Sequence, residues 1–235
     1  MQRLIALLLL LCACGPAFQA SAAVVITLDD TLAQVSDSST YDGDDQFNTG
    51  GTLAVATILP SYSSATTSLF NSAIMSASFV QSRGGNLEGY SDGYVASYFT
   101  PDANMSYTAV GSYSNSGGVT YFASQLYDAT ADVVLFESIQ ESNGVAAAFT
   151  LGGLAGNTTN NYWEGSLTGT LLADHNYEWW SDAYTFAGYD ADGGATASGE
   201  VSLTFGTAAV PEASSLIVWS LLALTIGGAG RWQRS

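Results

Sequence analysis

Residues 195–205 read Ala195-Thr196-Ala197-Ser198-Gly199-Glu200-Val201-Ser202-Leu203-Thr204-Phe205. Odd-numbered positions are apolar or glycine, and even-numbered positions are polar. Side chains of an extended strand alternate between its faces, so this pattern sends one face into a core and the other into water. Residues 177–189, rich in aromatics, form a second extended stretch, and the two bracket Asp190-Ala191-Asp192-Gly193-Gly194. Further out, residues 133–141 and 145–151 flank Ser142-Asn143-Gly144; Asn-Gly predicts a hairpin there, because both residues tolerate positive φ. Residues 24–28, ending at Asp29-Asp30, and residues 52–59, 105–113, 119–127 and 165–172 read as further strands, the last leading into a turn at 173–176. Residues 86–98 set Tyr90, Tyr94 and Tyr98 among Ser, Gly and Asp. Residues 68–80 fit a helix or two strands equally, and residues 36–51, centred on Asp42-Gly43-Asp44-Asp45, read as a loop. The expected fold class is therefore all-β: a single β-sandwich, jelly-roll-like, over residues 23–209. No period of 20 to 50 residues repeats, which disfavours solenoids and propellers.

The chain has 235 residues, with 21 acidic residues against four basic ones and a net charge of −17. All four basic residues are arginines, and only Arg83 lies between the two ends. Such a surface repels phosphate backbones, which excludes a nucleic-acid function. Residues 1–22 have the layout of a cleaved signal peptide: Arg3, an apolar run over residues 4–13, and Ala20-Ser21-Ala22 as a small-x-small cleavage site. Leu11-Cys12-Ala13-Cys14 approaches a lipoprotein pattern, an alternative at Cys14. Both cysteines lie in this leader, so conventional removal leaves no thiol, disulfide or Cys-based metal site in the mature body.

Residues 210–235 have three parts in order. Val210-Pro211-Glu212-Ala213-Ser214 comes first, then an uncharged apolar span over residues 216–230, then Arg231 and Arg234. The span reaches about 22 Å as a helix, and flanking residues with snorkelling arginines extend it toward a bilayer core. The arginines after the span orient the C-terminus to the cytoplasm and the body outward. This order resembles the PEP-CTERM sorting tail of Gram-negative bacterial proteins that are handed to an exosortase. Val210, Pro211, Glu212 and Ser214 match the family motif, while Ala213 stands where a second proline is usual. The resemblance covers about a tenth of the chain. It implies an exosortase-type membrane protease as partner, a membrane anchor before processing, and association with extracellular polysaccharide. A permanent membrane anchor is the plain alternative.

Candidate chemistry within the body is sparse. His175, the only histidine, lies in the turn before residue 177 and reads as a surface histidine. One histidine cannot build a zinc site. Calcium is the metal to consider, with oxygen ligands at Asp42, Asp44 and Asp45 and at Asp190 and Asp192, although neither loop follows the twelve-residue EF-hand pattern. Glu137, Glu141, Glu178 and Glu200 fall on expected strands and Glu164 just before one; a glycoside hydrolase needs two such carboxyls converging across a cleft. In Glu178-Trp179-Trp180-Ser181 the tryptophans point to opposite faces, so one is buried and the other is available to stack on a sugar ring. The expected function is a non-enzymatic matrix protein, envelope-displayed or secreted and associated with extracellular polysaccharide. The alternatives are an anchored carbohydrate-active hydrolase and a glycan-binding adhesin or lectin that uses Trp179 or Trp180.

Overall fold

A computed structural model of the chain describes residues 23–37, 40–48, 52–58, 61–70, 74–83, 89–153, 158–187 and 195–207. The leader at 1–22, the sorting motif and arginines at 210–235, and Asp190 and Asp192 lie outside the described residues. Among the described residues, no helix is long and apolar enough to cross a membrane.

The described residues form strands β1 (Val24–Asp37), β2 (Thr40–Asn48), β3 (Leu53–Ile58), β4 (Ser61–Phe70), β5 (Ile74–Arg83), β6 (Gly89–Pro101) and β7 (Met105–Asn115). They continue with β8 (Gly118–Asp128), β9 (Val133–Gly144), β10 (Ala147–Thr150), β11 (Thr158–Gly165), β12 (Thr168–Leu171), β13 (Tyr177–Ala187) and β14 (Ala195–Thr207). All pair antiparallel in two sheets. The front sheet has the order β11-β9-β8-β13-β6-β1-β2; the back sheet has β10-β7-β14-β5-β4-β3, with β12 also on β7. The sheets share one main core, so the body is a two-layer β-sandwich.

The alternation in residues 195–205 works as expected. Ala195, Ala197, Val201, Leu203 and Phe205 are buried, while Thr196, Ser198, Glu200 and Thr204 are exposed. From the front sheet, Phe99, Phe122, Leu126, Phe136 and Trp179 meet Met75, Phe79, Tyr113 and Leu203 of the back sheet in this core. Each such fully buried side chain contributes about 1.5–3 kcal/mol. Several polar residues on the inner faces find partners within a sheet or across the layers. Trp179 donates its indole N–H to Ser124 Oγ at 3.2 Å, and Ser124 is joined to Ser181 at 2.8 Å. Gln81 of the back sheet donates to the carbonyl of Ala183 in the front sheet and accepts from Thr185 at 3.1 Å.

Several expectations need correction. The first strand does not end at Asp29-Asp30; β1 runs to Asp37, pairing along its length with β6 and from Asp29 onward with β2. Residues 36–51 are not a loop, because β2 occupies Thr40–Asn48. Its acidic, glycine-containing sequence is tolerated as an edge strand, where one side of the backbone needs no sheet partner. Residues 68–80, open between a helix and two strands, take the second form, the end of β4 and the start of β5. The Asn-Gly hairpin does not form. β9 pairs with β8 and β11 in the front sheet, whereas β10 pairs with β7 in the back. Gly144 does take the positive φ that its turn asks for (76°), but Asn115 then draws the chain across. Its side chain donates to the Val145 carbonyl at 3.2 Å and accepts from the Ala147 amide at 2.9 Å. A turn motif sets a local reversal, and the buried Phe149 decides which sheet the next strand joins. In the same way β13 and β14, adjacent in sequence, lie in opposite sheets.

Candidate functional site

Strand pairing aligns the outward residues of the front sheet into rows across it. One row runs Glu141, Tyr121, Tyr184, Asp92 and Gln34 over β9, β8, β13, β6 and β1. The next runs Asp182, Tyr94, Leu32 and Asp45, and a third runs Glu164, Glu137, Gln125, Trp180, Ala96 and Asp30. The front face is thus paved with half-buried aromatics and carboxyls, and none of its seven strands contains Lys or Arg.

Trp179 and Trp180 separate as their alternation requires: Trp179 is 0% exposed in the core, and Trp180 is half-buried on the front face. Trp180 is held in place. It donates its indole N–H to Gln125 Oε1 at 2.9 Å, and Gln125 donates from Nε2 to Glu137 Oε1 at 2.6 Å, a relay over three strands. Ala96, its neighbour on β6, is too small to cover the ring. Tyr90 and Tyr184 stack farther along the same face, beyond the Asp182 row, with centroids 5.6 Å apart.

Two carboxyl pairs lie in the same face. Asp92 and Asp182 hydrogen-bond to each other beneath the tyrosines. Burial, then repulsion from Asp92, pushes the Asp182 carboxyl up to about 9, so the pair retains one proton at neutral pH. Burial raises Asp92 as well. The other oxygen of each, Oδ1, is buried without a hydrogen-bond partner. Asp30 bonds to Asp45 from across β1 and β2; burial and then the Asp45 charge raise its pKa. Burial, then the carboxyls Asp182, Glu137 and Glu141, pushes the Tyr121 phenol up to about 12.

Of the carboxylates singled out from sequence, Glu137, Glu141, Glu164 and Glu178 share this face, and Glu200 points away on the back sheet. Glu137 and Glu164 sit opposite each other in register; Glu164 accepts from Tyr162 and Glu178 from Tyr98 at 3.3 Å. The Asp42-Gly43-Asp44-Asp45 carboxyls do not converge. Asp42 Oδ2 accepts from the Thr57 amide at 2.6 Å and Asp44 Oδ2 from the Val55 amide at 3.0 Å, both on β3, while Asp45 bonds to Asp30 on the front face. Among the described residues, no group of three or more His, Cys, Asp or Glu is placed to hold a metal ion.

His175 lies at the end of the sandwich, its Nδ1 2.9 Å from Asp128 Oδ2, with its ring stacked on Tyr177. Asp128 Oδ1 accepts from the Thr130 and Ala131 amides, so this carboxylate ties the β8–β9 turn to the turn before β13. Burial works upward on Asp128, but the Ala131 hydrogen bond and then the His175 contact outweigh it and hold the carboxyl below its ordinary value.

Sequence reasoning singled out Trp180 but missed Asp92, Asp182 and Gln125. Their signal was present as a period of two: Tyr90-x-Asp92-x-Tyr94 and Glu178-x-Trp180-x-Asp182-x-Tyr184 each carry bulky amphipathic groups on one face. No family model matches the chain, and no curated protein matches it.

Proposed function

We propose that the chain is an exported, non-enzymatic protein of the cell envelope or extracellular matrix. It associates with extracellular polysaccharide through the outward face of the front sheet. The observation that carries this reading is Trp180, an aromatic ring pinned by Gln125 and Glu137 and ringed by tyrosines and carboxyls. Flat rings stack on sugar faces, and carboxylates and amides accept from sugar hydroxyls; a ring already held in one orientation loses little entropy on binding. The chain's frequent passage between the sheets supports a jelly-roll-like arrangement.

Binding is favoured over glycoside hydrolysis because Asp92 and Asp182 touch and share a proton, and because Glu137 and Glu164, opposite in register, are engaged by Gln125 and Tyr162. A hydrolase holds its two carboxyls about 5–10 Å apart, with the scissile bond between them. Export and sorting rest on the leader and on the Val210-Pro211-Glu212-Ala213-Ser214 tail with Arg231 and Arg234. In this reading an exosortase-type protease releases the body from its membrane anchor.

The test is co-sedimentation of the protein with polysaccharide from its own cells. Trp180→Ala is expected to weaken binding at least tenfold, and Glu200→Gln, on the opposite face, to leave it unchanged. Equal binding by both variants overturns the assignment of the face, and release of new reducing ends would favour a hydrolase. Mass spectrometry of both termini checks the sorting: a mature chain starting near Val24 and ending near Pro211 is expected, and an intact Ser235 in the membrane fraction would contradict processing.

A further inference from the structure

The outward face of the back sheet is the chemical opposite of the front. Strand pairing aligns Val80, Ser198, Ser114 and Ala148 in one row, Ser78, Glu200, Ser112 and Thr150 in the next, and Ser76, Ser202 and Val110 in a third. Among the described residues Glu200 is the single charged group on this face. Val80 is 50% exposed and Val110 is 54% exposed, with Leu53, Val55 and Ile74 exposed on the same side. A shallow depression of about 600 Å³ on this face is rimmed by Val80, Ser112, Ser114, Ser198 and Glu200, with Phe79, Tyr113 and Phe149 at its base.

We infer that this back face is a self-association surface, on which a second copy of the same chain docks sheet against sheet. Two observations select that occupant. The first is charge. The chain carries −17, and among the described residues the surface carboxylates other than Glu200 lie on the front face, at the ends, and along the β2 edge, so two copies repel each other in every orientation that presents those regions. Only back-to-back docking brings together surfaces nearly free of charge. The second is area. At strand spacings of about 4.8 Å and rises of about 3.4 Å per residue, the six strands of the back sheet present roughly 800 Å². A stable interface buries about 800 Å² per partner.

Serine, threonine and valine suit such a contact. They lose little side-chain entropy on burial, and their hydroxyls can pair across the interface as they do between strands. A back-to-back pair is isologous and therefore closes at two copies. It also leaves both front faces pointing outward.

Sedimentation of the full-length protein in mild detergent tests this. The expected result is a concentration-dependent dimer that strengthens as salt is raised, because screening weakens the long-range repulsion between the two acidic molecules. Val80→Glu is expected to weaken the dimer at least tenfold, while Asp174→Asn, at the end of the sandwich, leaves it unchanged. Ser112→Glu, on the neighbouring row, reads the same surface if Val80→Glu does not fold, and an unchanged melting curve identifies a folded variant. A monomer at every concentration overturns the inference and leaves the face to another occupant. So does a dimer that salt dissociates, or one that both charged variants keep at full strength.

Discussion

Outward positions on β6 and β13 of the front sheet hold Tyr90, Asp92, Tyr94 and Tyr98, and Glu178, Trp180, Asp182 and Tyr184. On β5 and β14 of the back sheet they hold Ser76, Ser78, Val80 and Ser82, and Ser198, Glu200, Ser202 and Thr204. The strands have the same pairing and similar inner faces, so the fold does not require this difference. Small hydroxyl and branched side chains on the back face cost little to place on a pleated surface. The front face instead buries carboxyls against one another, which opposes folding wherever both are ionised. Groups that oppose folding and are still held in place point to ligand chemistry on that face, whereas the back face carries no such opposed groups.

The sharpest way to test the contrast is within one pair of neighbours. Trp179→Ala is expected to cost about 3–5 kcal/mol, because it empties a fully enclosed site and removes the indole hydrogen bond to Ser124. Chemical denaturation reads it directly.

The carboxyl pair should make the front face the alkaline weak point. Asp182 ionises in the unfolded chain near its ordinary value of 3.8 and in the folded chain at about 9. The folded state therefore binds the extra proton between those limits. Its stabilising effect is complete below the lower value and is lost as pH rises toward and through the upper one. A Tm falling by roughly 5–10 °C from pH 5 to 9 is expected, and Asp182→Asn should flatten that slope. An unchanged slope in the variant would dissociate the effect from this pair.

Gly199, on the inner face of β14, should be less tolerant than its outward neighbours. A Cβ there would sit 2.6 Å from Tyr113 Cδ2 and 3.1 Å from the Ser112 carbonyl. Gly199→Ala is expected to cost about 1–3 kcal/mol by overpacking, against almost nothing for Ser198→Ala.

Asp128 has the opposite sign to Asp182. Its folded pKa lies below the ordinary value, so its contribution is present above that value and is lost as pH falls through the folded one. Asp128→Ala should cost about 1–2 kcal/mol at neutral pH and progressively less in acid. Smallest of all, Trp180→Ala should cost about 1 kcal/mol in stability while removing most of the binding, the reverse of Trp179→Ala.

What the sequence revealed follows from how local each signal is. Strict alternation in β14 needed only its own residues, and the split of Trp179 from Trp180 needed only their adjacency. β2 was misread because Asp42, Gly43 and Asp44 are poor strand formers, and what holds them is the partner β1, 29 to 48 in register. The crossing after Gly144 was hidden because Asn115 makes it, some 30 residues away. Asp92 and Asp182 come together through the pairing of β6 with β13, across intervening strands that lie in both sheets. Periodicity can assign a residue to a face, but which strands become neighbours is decided by the whole core.

The hydrogen bonds from Asp42 and Asp44 to the amides of Thr57 and Val55 have one more consequence. β3 is the last strand of the back sheet, and its free amides would otherwise template a strand from another molecule. With these donors already occupied, copies at high concentration find fewer free amides for lengthening one another's sheets at this edge. The same acidic residues that look like a metal loop cap two donors of an open sheet edge.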